Sequence, residues 1–481
     1  MKKSIIFLIN GLGIEKKGSY SISLDQEMPN LAKTRETSYF TTAFTNSLEY
    51  RSAYQQFFIG DTYNMELQYI NDNIFNNLQN NTIYNNFLNT IKISNSKLHI
   101  FLEPNTNQIV EQINSFVNNL NLEVNKPVYL HLILSQLTLD DYKKLIDTVN
   151  YIKYHINEHI NLGFIIGKEY LSDNINSEVM REMEKMLFFC SCERWTRIDE
   201  KFEELKSKNI IPCKAKGFCA TNDCFIKNND TILFFNTRRS DYDKLIRCIY
   251  EKAPEVIRNE QVNIPIFSLI QLYSKYNISY FANNIVYPTS LNNLLAKYKK
   301  KALILTSKEH VSLVNFYANG LNQVNNPDIG FMILDDSLMN YNTIVNLIDN
   351  SSYDLIIFDY YMDVSSTINI LKAGLNKIDK VLGNVVNVSE NKHSLFISSL
   401  FGLKKELPIA DYNTEKVTID YEMQIPIFFY DYTYPASKYK LFPGDTNMLL
   451  SSALWCITND NHLDSLIREK GLLKNLFSIF K

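Results

Sequence analysis

Glycine is scarce in this chain, which has only 14 glycines among 481 residues. The share is roughly 3%, against a usual figure of about 7%, and it excludes collagen-like and linker-like sequences. The seven cysteines are too few, and odd in number, for a disulfide scaffold, so they fit a reducing cytoplasm. No stretch approaches the roughly 18 consecutive apolar residues that a membrane-spanning helix needs.

Net charge is also small. The 49 Lys and Arg residues against 52 Asp and Glu residues give a formal charge of −3, and the two signs are mixed along the chain. The sequence therefore offers no basic field that would attract nucleic acid or an anionic membrane. We expect a cytoplasmic protein that binds no nucleic acid and has no membrane span.

Apolar and aromatic residues are abundant, at 45% and 13% of the chain, which excludes a disordered protein. A chain of this length is expected to form two or three domains. The apolar run Ser4 to Ile9 follows two lysines as in a signal peptide, but it ends at Asn10, so we predict a buried first strand. The Asn-rich stretch 71–89 carries apolar residues in i, i+4 pairs, which predicts an amphipathic helix.

Short apolar runs alternate with helical patterns over most of the chain, as is typical of an α/β sheet with crossover helices. We therefore predict an α/β fold with two α/β regions. The predicted strands lie at 98–102, 128–134, 163–166, 231–235, 302–305, 355–358, 395–397 and 425–429.

Several short segments match, in order and spacing, the motifs of one enzyme family. The most specific is FFNTRRSD at Phe234–Asp241, which is similar to the motif FNFRxDR. The chain thus resembles the cofactor-independent phosphoglycerate mutases of the alkaline phosphatase superfamily. The other matching segments are Tyr129–Ser135, Arg194–Arg197, Thr289–Leu295, Thr306–Val311 and Asn319–Gly320.

The resemblance implies a particular division of the chain. An alkaline-phosphatase-like, three-layer α/β/α domain would comprise residues 1–70 and 285–481. A transferase-like second α/β domain would be inserted between them at residues 75–280. This organisation agrees with the two α/β regions that the apolar runs predict.

The resemblance also implies a catalytic site, and this chain departs from it at most positions. In the family, two manganese ions activate a serine that transfers a phosphoryl group between the hydroxyls of glycerate. Thr62 stands at the nucleophile position and keeps a hydroxyl, whereas Asp140 stands at the position of a catalytic histidine. The metal positions hold two weak residual ligands, Asp363 and Asp420, and four degenerate residues, Asn10, Thr367, Leu400 and Phe401.

Leucine and phenylalanine cannot bind a metal, and a neutral amide is a poor ligand for manganese. The three oxygen donors that remain are those of Asp363, Asp420 and Thr62. They are too few for two metals, since each metal normally needs three or more protein ligands. Several family glycines that let the backbone approach metal and phosphate are lost as well. They are replaced by Met65, Leu137, Thr138 and Ser366.

The family's arginine clamp for phosphate and carboxylate is similarly reduced. The residues that remain at or near its positions are Lys168, Lys185, Arg238 and Lys308. Such a pocket would hold a small anion, but Lys and Arg on an α/β protein are more often solvated surface groups.

Two other patterns in the sequence bear on its function. Cys190, Cys192, Cys213, Cys219 and Cys224 crowd together as a zinc site would require, but they lack paired CxxC knuckles, so the spacing favours free buried thiols. The apolar face of the C-terminal segment 472–480 predicts a helix that packs on its own core, with docking to a partner or a membrane surface as the alternative.

Two functions follow from the sequence. We expect a catalytically inactive pseudoenzyme without a cofactor that acts as a binding or scaffold protein, for an unknown protein or a small anionic ligand. The alternative is an active phosphoglycerate mutase, or another metal-dependent phosphotransferase or phosphatase. It would use Thr62 as nucleophile with manganese or another divalent metal held by Asp363 and Asp420.

Overall fold

A computed structural model provides the structure of the chain. The structure describes residues 2–12, 28–44, 50–60, 80–93, 97–104, 115–116, 120, 126–136, 138–155, 160–171, 177–235, 242–257, 263–272, 276, 278–282, 287, 289–321, 326–361, 368–406, 416–420, 424–431, 433–434, 439–460, 463 and 465–469.

The strands of the described residues include every strand that the apolar runs predict. In chain order they are β1 (Ser4–Asn10), β2 (Tyr39–Phe44), β3 (Leu98–Leu102), β4 (Val128–Leu134), β5 (Ile160–Gly167), β6 (Glu193–Arg194), β7 (Phe218–Cys219), β8 (Thr231–Phe234), β9 (Ile266–Ile270), β10 (Ser279–Ala282), β11 (Ala302–Thr306), β12 (Ile329–Ile333), β13 (Leu355–Tyr361), β14 (Ser394–Ser398), β15 (Gly402–Glu406), β16 (Lys416–Asp420), β17 (Ile425–Tyr430), β18 (Tyr439–Leu441), β19 (Gly444–Asp445) and β20 (Ile467–Glu469).

The helices alternate with these strands. They are α1 (Pro29–Thr37), α2 (Tyr50–Ile59), α3 (Thr82–Ile93), α4 (Asp141–His155), α5 (Ser177–Phe189), α6 (Ile198–Ser207), α7 (Asp243–Ile257), α8 (Leu291–Tyr298), α9 (Val311–Ala318), α10 (Tyr341–Ile348), α11 (Ile368–Ser389) and α12 (Asn447–Thr458), with short 3₁₀ turns at Lys168–Leu171, Pro212–Lys214 and Asp336–Met339.

Contacts within the chain divide it into two units. Unit 1 comprises Met1–Thr62 and Val286–Lys481, and unit 2 comprises Tyr63–Ile285. The identification of these units as a phosphatase-like domain and an inserted transferase-like domain stays a prediction. The alternation of strands and helices in both confirms the α/β class.

Unit 1 is built on an eight-stranded sheet in the order β12-β11-β13-β1-β14-β17-β2-β19. The five strands from β12 to β14 run parallel, and β17 pairs antiparallel with both its neighbours. All seven residues of β1 are buried, as expected for a parallel strand covered on both faces. The carboxyl ends of β1, β11, β13 and β14 therefore meet at one edge of the sheet.

Unit 2 has a separate eight-stranded sheet in the order β10-β9-β8-β3-β4-β5-β7-β6. Its strands are parallel except for the pairing of β5 with β7. One apolar cluster of unit 2 includes the aromatic residues Phe87, Phe116 and Phe267. A second cluster includes Phe164 and Phe234.

Two further predictions concern helices. The pair Ile83 and Phe87 lies on α3, whereas the first part of the Asn-rich stretch and the C-terminal segment 472–480 lie outside the described residues. Among the helices of the described ranges, none is both long and apolar enough to cross a membrane.

Candidate functional site

Asp359 lies at the carboxyl edge of the unit 1 sheet, near the end of β13. It follows the apolar run Leu355–Phe358 and is completely buried. Its carboxylate accepts hydrogen bonds from three side chains. The donors are Tyr54 Oη at 2.9 and 3.0 Å, Asn10 Nδ2 at 2.7 Å and Thr306 Oγ1 at 2.8 Å.

Burial is the largest influence on the pKa of this carboxyl group. It raises the pKa of Asp359 to about 6, and the hydrogen bonds from Thr306, Tyr54 and Asn10 oppose the rise. All three partners are neutral, and no ion pair joins Asp359 to a cation among the residues that the structure describes. The group is thus an isolated buried acid that depends on neutral donors.

Asn10, at the end of β1, stands where the resemblance implies a metal-binding aspartate. Its Nδ2 donates to Asp359 Oδ1 and, at 3.1 Å, to Tyr54 Oη. Its Oδ1 accepts from the backbone N–H of Leu400 at 2.9 Å. A carboxylate on one side and an N–H on the other fix the orientation of the amide. The amide nitrogen and the amide oxygen are therefore both engaged within the protein.

Leu400 and Phe401 follow β14 and lie directly against β1. Both are completely buried, and the Phe401 ring lies 6.0 Å from the ring of Tyr361. The backbone N–H of Gly11 donates to Phe401 O at 2.9 Å, with Gly11 at a φ of 119° that favours glycine. The turn after β14 is thus fastened to the end of β1 by its backbone and filled by apolar side chains.

The described part of this site does not fit a manganese ion. Both polar atoms of the Asn10 amide have hydrogen-bond partners within the protein, and the side chains of Leu400 and Phe401 have no atom that could bind a metal. Asp420 pairs with Gly402 through the backbone of β16, but its side chain lies outside the described residues. Outside them too lie Thr62, Asp363, Thr367 and Arg238.

The predicted anion-binding lysines have different surroundings. Lys168 forms an ion pair with buried Glu103 at 3.1 Å, and Tyr242 Oη donates to the same carboxylate at 2.8 Å. Lys185 is exposed on α5, and Lys308 is exposed in the turn before α9. Asp140 is exposed in the turn before α4. Lys168 therefore already has a carboxylate partner, so an anion would have to compete with Glu103.

A second buried polar cluster lies in unit 2. His131 Nδ1 accepts from the N–H of Phe164 at 2.8 Å, so its Nε2 carries the proton and faces His99 Nδ1 at 2.9 Å. His99 Nε2 then faces Asp230 Oδ2 at 3.1 Å. Burial lowers the pKa of both histidines, which are neutral in this arrangement.

Two of the site residues were missed in the sequence. Asp359 had a visible signal, because it is a single acidic residue that closes a buried apolar run. Tyr54 had none, because it is one of 30 tyrosines and its partner Asp359 lies 305 residues away along the chain.

The sequence of this chain is similar to those of several curated proteins. The 2,3-bisphosphoglycerate-independent phosphoglycerate mutase of Clostridium kluyveri is 23% identical over 208 residues, or 39% of this chain and 40% of that protein. The enzyme of the same name from Clostridium botulinum Type A (ATCC 19397) is 21% identical over 377 residues, or 70% and 71%. The homologues of this chain are 2,3-bisphosphoglycerate-independent phosphoglycerate mutases. The first of these alignments spans two fifths of the relative's length.

The fold of the chain is also similar to that of a phosphoglycerate mutase of known structure. The crystal structure of Leishmania mexicana phosphoglycerate mutase at low cobalt concentration aligns with a TM-score of 0.63, 9% identity and 98% coverage of both chains. No protein-family model matches the chain. The resemblance to the phosphoglycerate mutases is therefore confirmed by homologues and by the fold.

Proposed function

We propose that this phosphoglycerate mutase-like protein is a pseudoenzyme that has lost metal-dependent phosphoryl transfer and acts as a binding or scaffold protein. The observation that carries the proposal is the hydrogen-bonded amide of Asn10, which stands where the resemblance implies a metal-binding aspartate. All its polar atoms bind Asp359, Tyr54 and the backbone of Leu400.

The apolar turn after β14 supports the same conclusion. Catalysis of phosphoryl transfer by a dinuclear centre needs anionic or imidazole ligands that neutralise the charge of the phosphate. Leu400 and Phe401 occupy two of those ligand positions and contribute only buried apolar surface. A metal could enter only by breaking the hydrogen bonds of Asn10 and displacing packed side chains.

The environment of the protein is part of the proposal. None of the seven cysteines, all of which lie within the described residues, forms a disulfide, which fits a reducing cytoplasm. Its ligand would be a protein or a small anion, because lysines remain where the resemblance implies a clamp for phosphate and carboxylate groups.

The test is an assay of the purified full chain with 2- and 3-phosphoglycerate and added manganese. The Clostridium botulinum relative serves as positive control, and Thr62→Ala as the matched variant. We expect no interconversion above the rate without protein, and no difference between the wild type and Thr62→Ala. Manganese-dependent interconversion that disappears in Thr62→Ala would overturn the proposal in favour of an active phosphotransferase.

A further inference from the structure

Four cysteines of unit 2 come together although they lie on separate segments of the chain. Cys190 and Cys192 follow α5, Cys219 ends β7, and Cys224 lies in the turn beyond it. Cys190 Sγ is 3.5 Å from Cys219 Sγ and 3.6 Å from Cys224 Sγ. The sulfur atoms of Cys190, Cys192 and Cys219 all lie within 4.8 Å of one another.

We propose that Cys190, Cys192, Cys219 and Cys224 form a structural zinc site. A tetrahedral zinc ion with Zn–S bonds of about 2.3 Å separates its sulfur ligands by about 3.8 Å. The shortest distances here are already close to that value, so a single ion needs only small adjustments of the side chains. Thiolate sulfur is also the donor that Zn²⁺ takes in sites where all four ligands come from the protein.

The backbone at Cys190 is shaped to deliver its sulfur. Cys190 directly follows the last residue of α5 and has a φ of 50°, and the N–H of Ser191 bonds back to Lys185 O. This is the position after a helix that normally takes glycine because a side chain is strained there. In this glycine-poor sequence a cysteine occupies it instead, and that choice directs a thiol towards Cys219 and Cys224.

The surroundings suit a bound cation with thiolate ligands. Cys219 and Cys224 are buried, whereas Cys190 and Cys192 are partly exposed, which gives an ion a path from solvent. Arg194 lies near Cys219 and would offset the excess negative charge of four thiolates around a divalent ion. The ion would join the end of α5 to the two-residue strands β6 and β7, which have few ladder hydrogen bonds of their own.

The spacing along the sequence favoured free thiols, since it contains no paired CxxC knuckles. Convergence in three dimensions changes that assessment, because three sulfurs within 4.8 Å of one another, with the sulfur of Cys224 3.6 Å from that of Cys190, are more than a disulfide would use. Cys213 stays apart from this group of four. It is buried beside Tyr142 and therefore provides a matched control.

The experiment measures zinc in the full chain, purified under reducing conditions, loaded with Zn²⁺ and freed of excess metal. We expect about one zinc per chain in the wild type and in Cys213→Ser, and about tenfold less in Cys219→Ser and Cys224→Ser. Absence of zinc from the loaded wild type, or equal zinc in all four proteins, would overturn the proposal.

A second measurement covers the case in which the cysteine variants do not fold. Cobalt(II) is added to the reduced wild-type chain in place of zinc and the absorption spectrum is recorded. We expect the intense thiolate-to-cobalt charge-transfer bands of a tetrahedral sulfur site, which Zn²⁺ then abolishes by displacing the cobalt. A spectrum typical of cobalt bound only by water and oxygen donors would overturn the proposal.

Discussion

The side-chain amide of Asn10 and the carboxyl group of Asp359 depend on each other. A buried carboxylate needs donors, and Asn10 Nδ2 supplies one at 2.7 Å. An aspartate at residue 10, as the family resemblance implies for an active enzyme, would place two carboxyl groups against each other. The amide of Asn10 and the buried carboxyl group of Asp359 therefore form one hydrogen-bonded unit of the site.

The variant Asn10→Asp tests this dependence. We expect it to lower the free energy of unfolding by about 3 kcal/mol at pH 7.5, because it buries an uncompensated charge. The loss should shrink at pH 5, because the paired carboxyl groups have raised pKa values and share a proton there. Urea unfolding at the two pH values measures both effects.

The exchange variant with Asn10→Asp and Asp359→Asn is the control, because it keeps one amide facing one carboxylate. It should recover most of the lost stability. Full stability of Asn10→Asp at pH 7.5, or its rescue by added manganese, would contradict this account and indicate that a metal site persists.

At the scale of strands, apolar runs in the sequence predict the buried strands more accurately than the exposed ones. The buried strands β3 and β4 are found at their predicted bounds, because every residue in them is apolar or enclosed. Strand β5 begins three residues before its predicted start, where Ile160 and Leu162 are only partly buried and Asn161 is exposed. The edge strand β12 was not predicted, although residues 329–333 are all apolar or glycine. Of these residues only Ile329 is buried in the sheet.

Strand β5 also has a role in the polar cluster of His99, His131 and Asp230. The pairing of β4 with β5 shifts register between Leu130 and Leu132, and this lets His131 accept from the N–H of Phe164. Gly163 leaves the necessary space, because a Cβ atom there would lie 2.5 Å from the His131 ring. The ring cannot withdraw, since it is stacked between Phe101 and Phe164.

We therefore expect Gly163→Ala to destabilise the protein by about 2 kcal/mol, through overpacking and loss of the hydrogen bond from Phe164. The matched control is Gly374→Ala on α11, where no atom lies within 4 Å of the added methyl group. It should gain up to about 1 kcal/mol, because alanine is the better helix former. Urea unfolding of both variants measures the difference, and equal stability would contradict the packing argument.

At the scale of the whole molecule, 9% identity to the Leishmania mexicana enzyme still preserves the fold over 98% of the chain. The buried strands explain this, since many apolar residues satisfy the same sheet. The candidate site is less predictable, because Asn10, Tyr54 and Asp359 are joined by contacts that span up to 349 residues of sequence. Local sequence patterns therefore predict the strands of the sheet, but they do not predict these contacts between distant residues.

The dependence of stability on pH combines groups from both units. His99, His131 and His393 are buried and have pKa values below their ordinary value of 6.5, with burial as the main cause in each. Below pH 6.5 these three histidines bind protons in the unfolded chain but stay neutral in the folded chain. They therefore lower the stability of the protein as the pH falls. Asp359 acts in the opposite direction, because its folded pKa of about 6 lies above the ordinary 3.8.

Between pH 6.5 and pH 5.5, the destabilising effect of three histidines therefore opposes the stabilising effect of one carboxyl group. Each group changes the free energy of unfolding by up to about 1.4 kcal/mol per pH unit. We expect the urea midpoint to be lower at pH 5.5 than at pH 7.5. The change should be smaller in His131→Gln, because that variant removes one titrating group and the hydrogen-bond partner of another. A midpoint that rises on acidification, or an equal change in the variant, would show that His99 and His131 are not held neutral by burial.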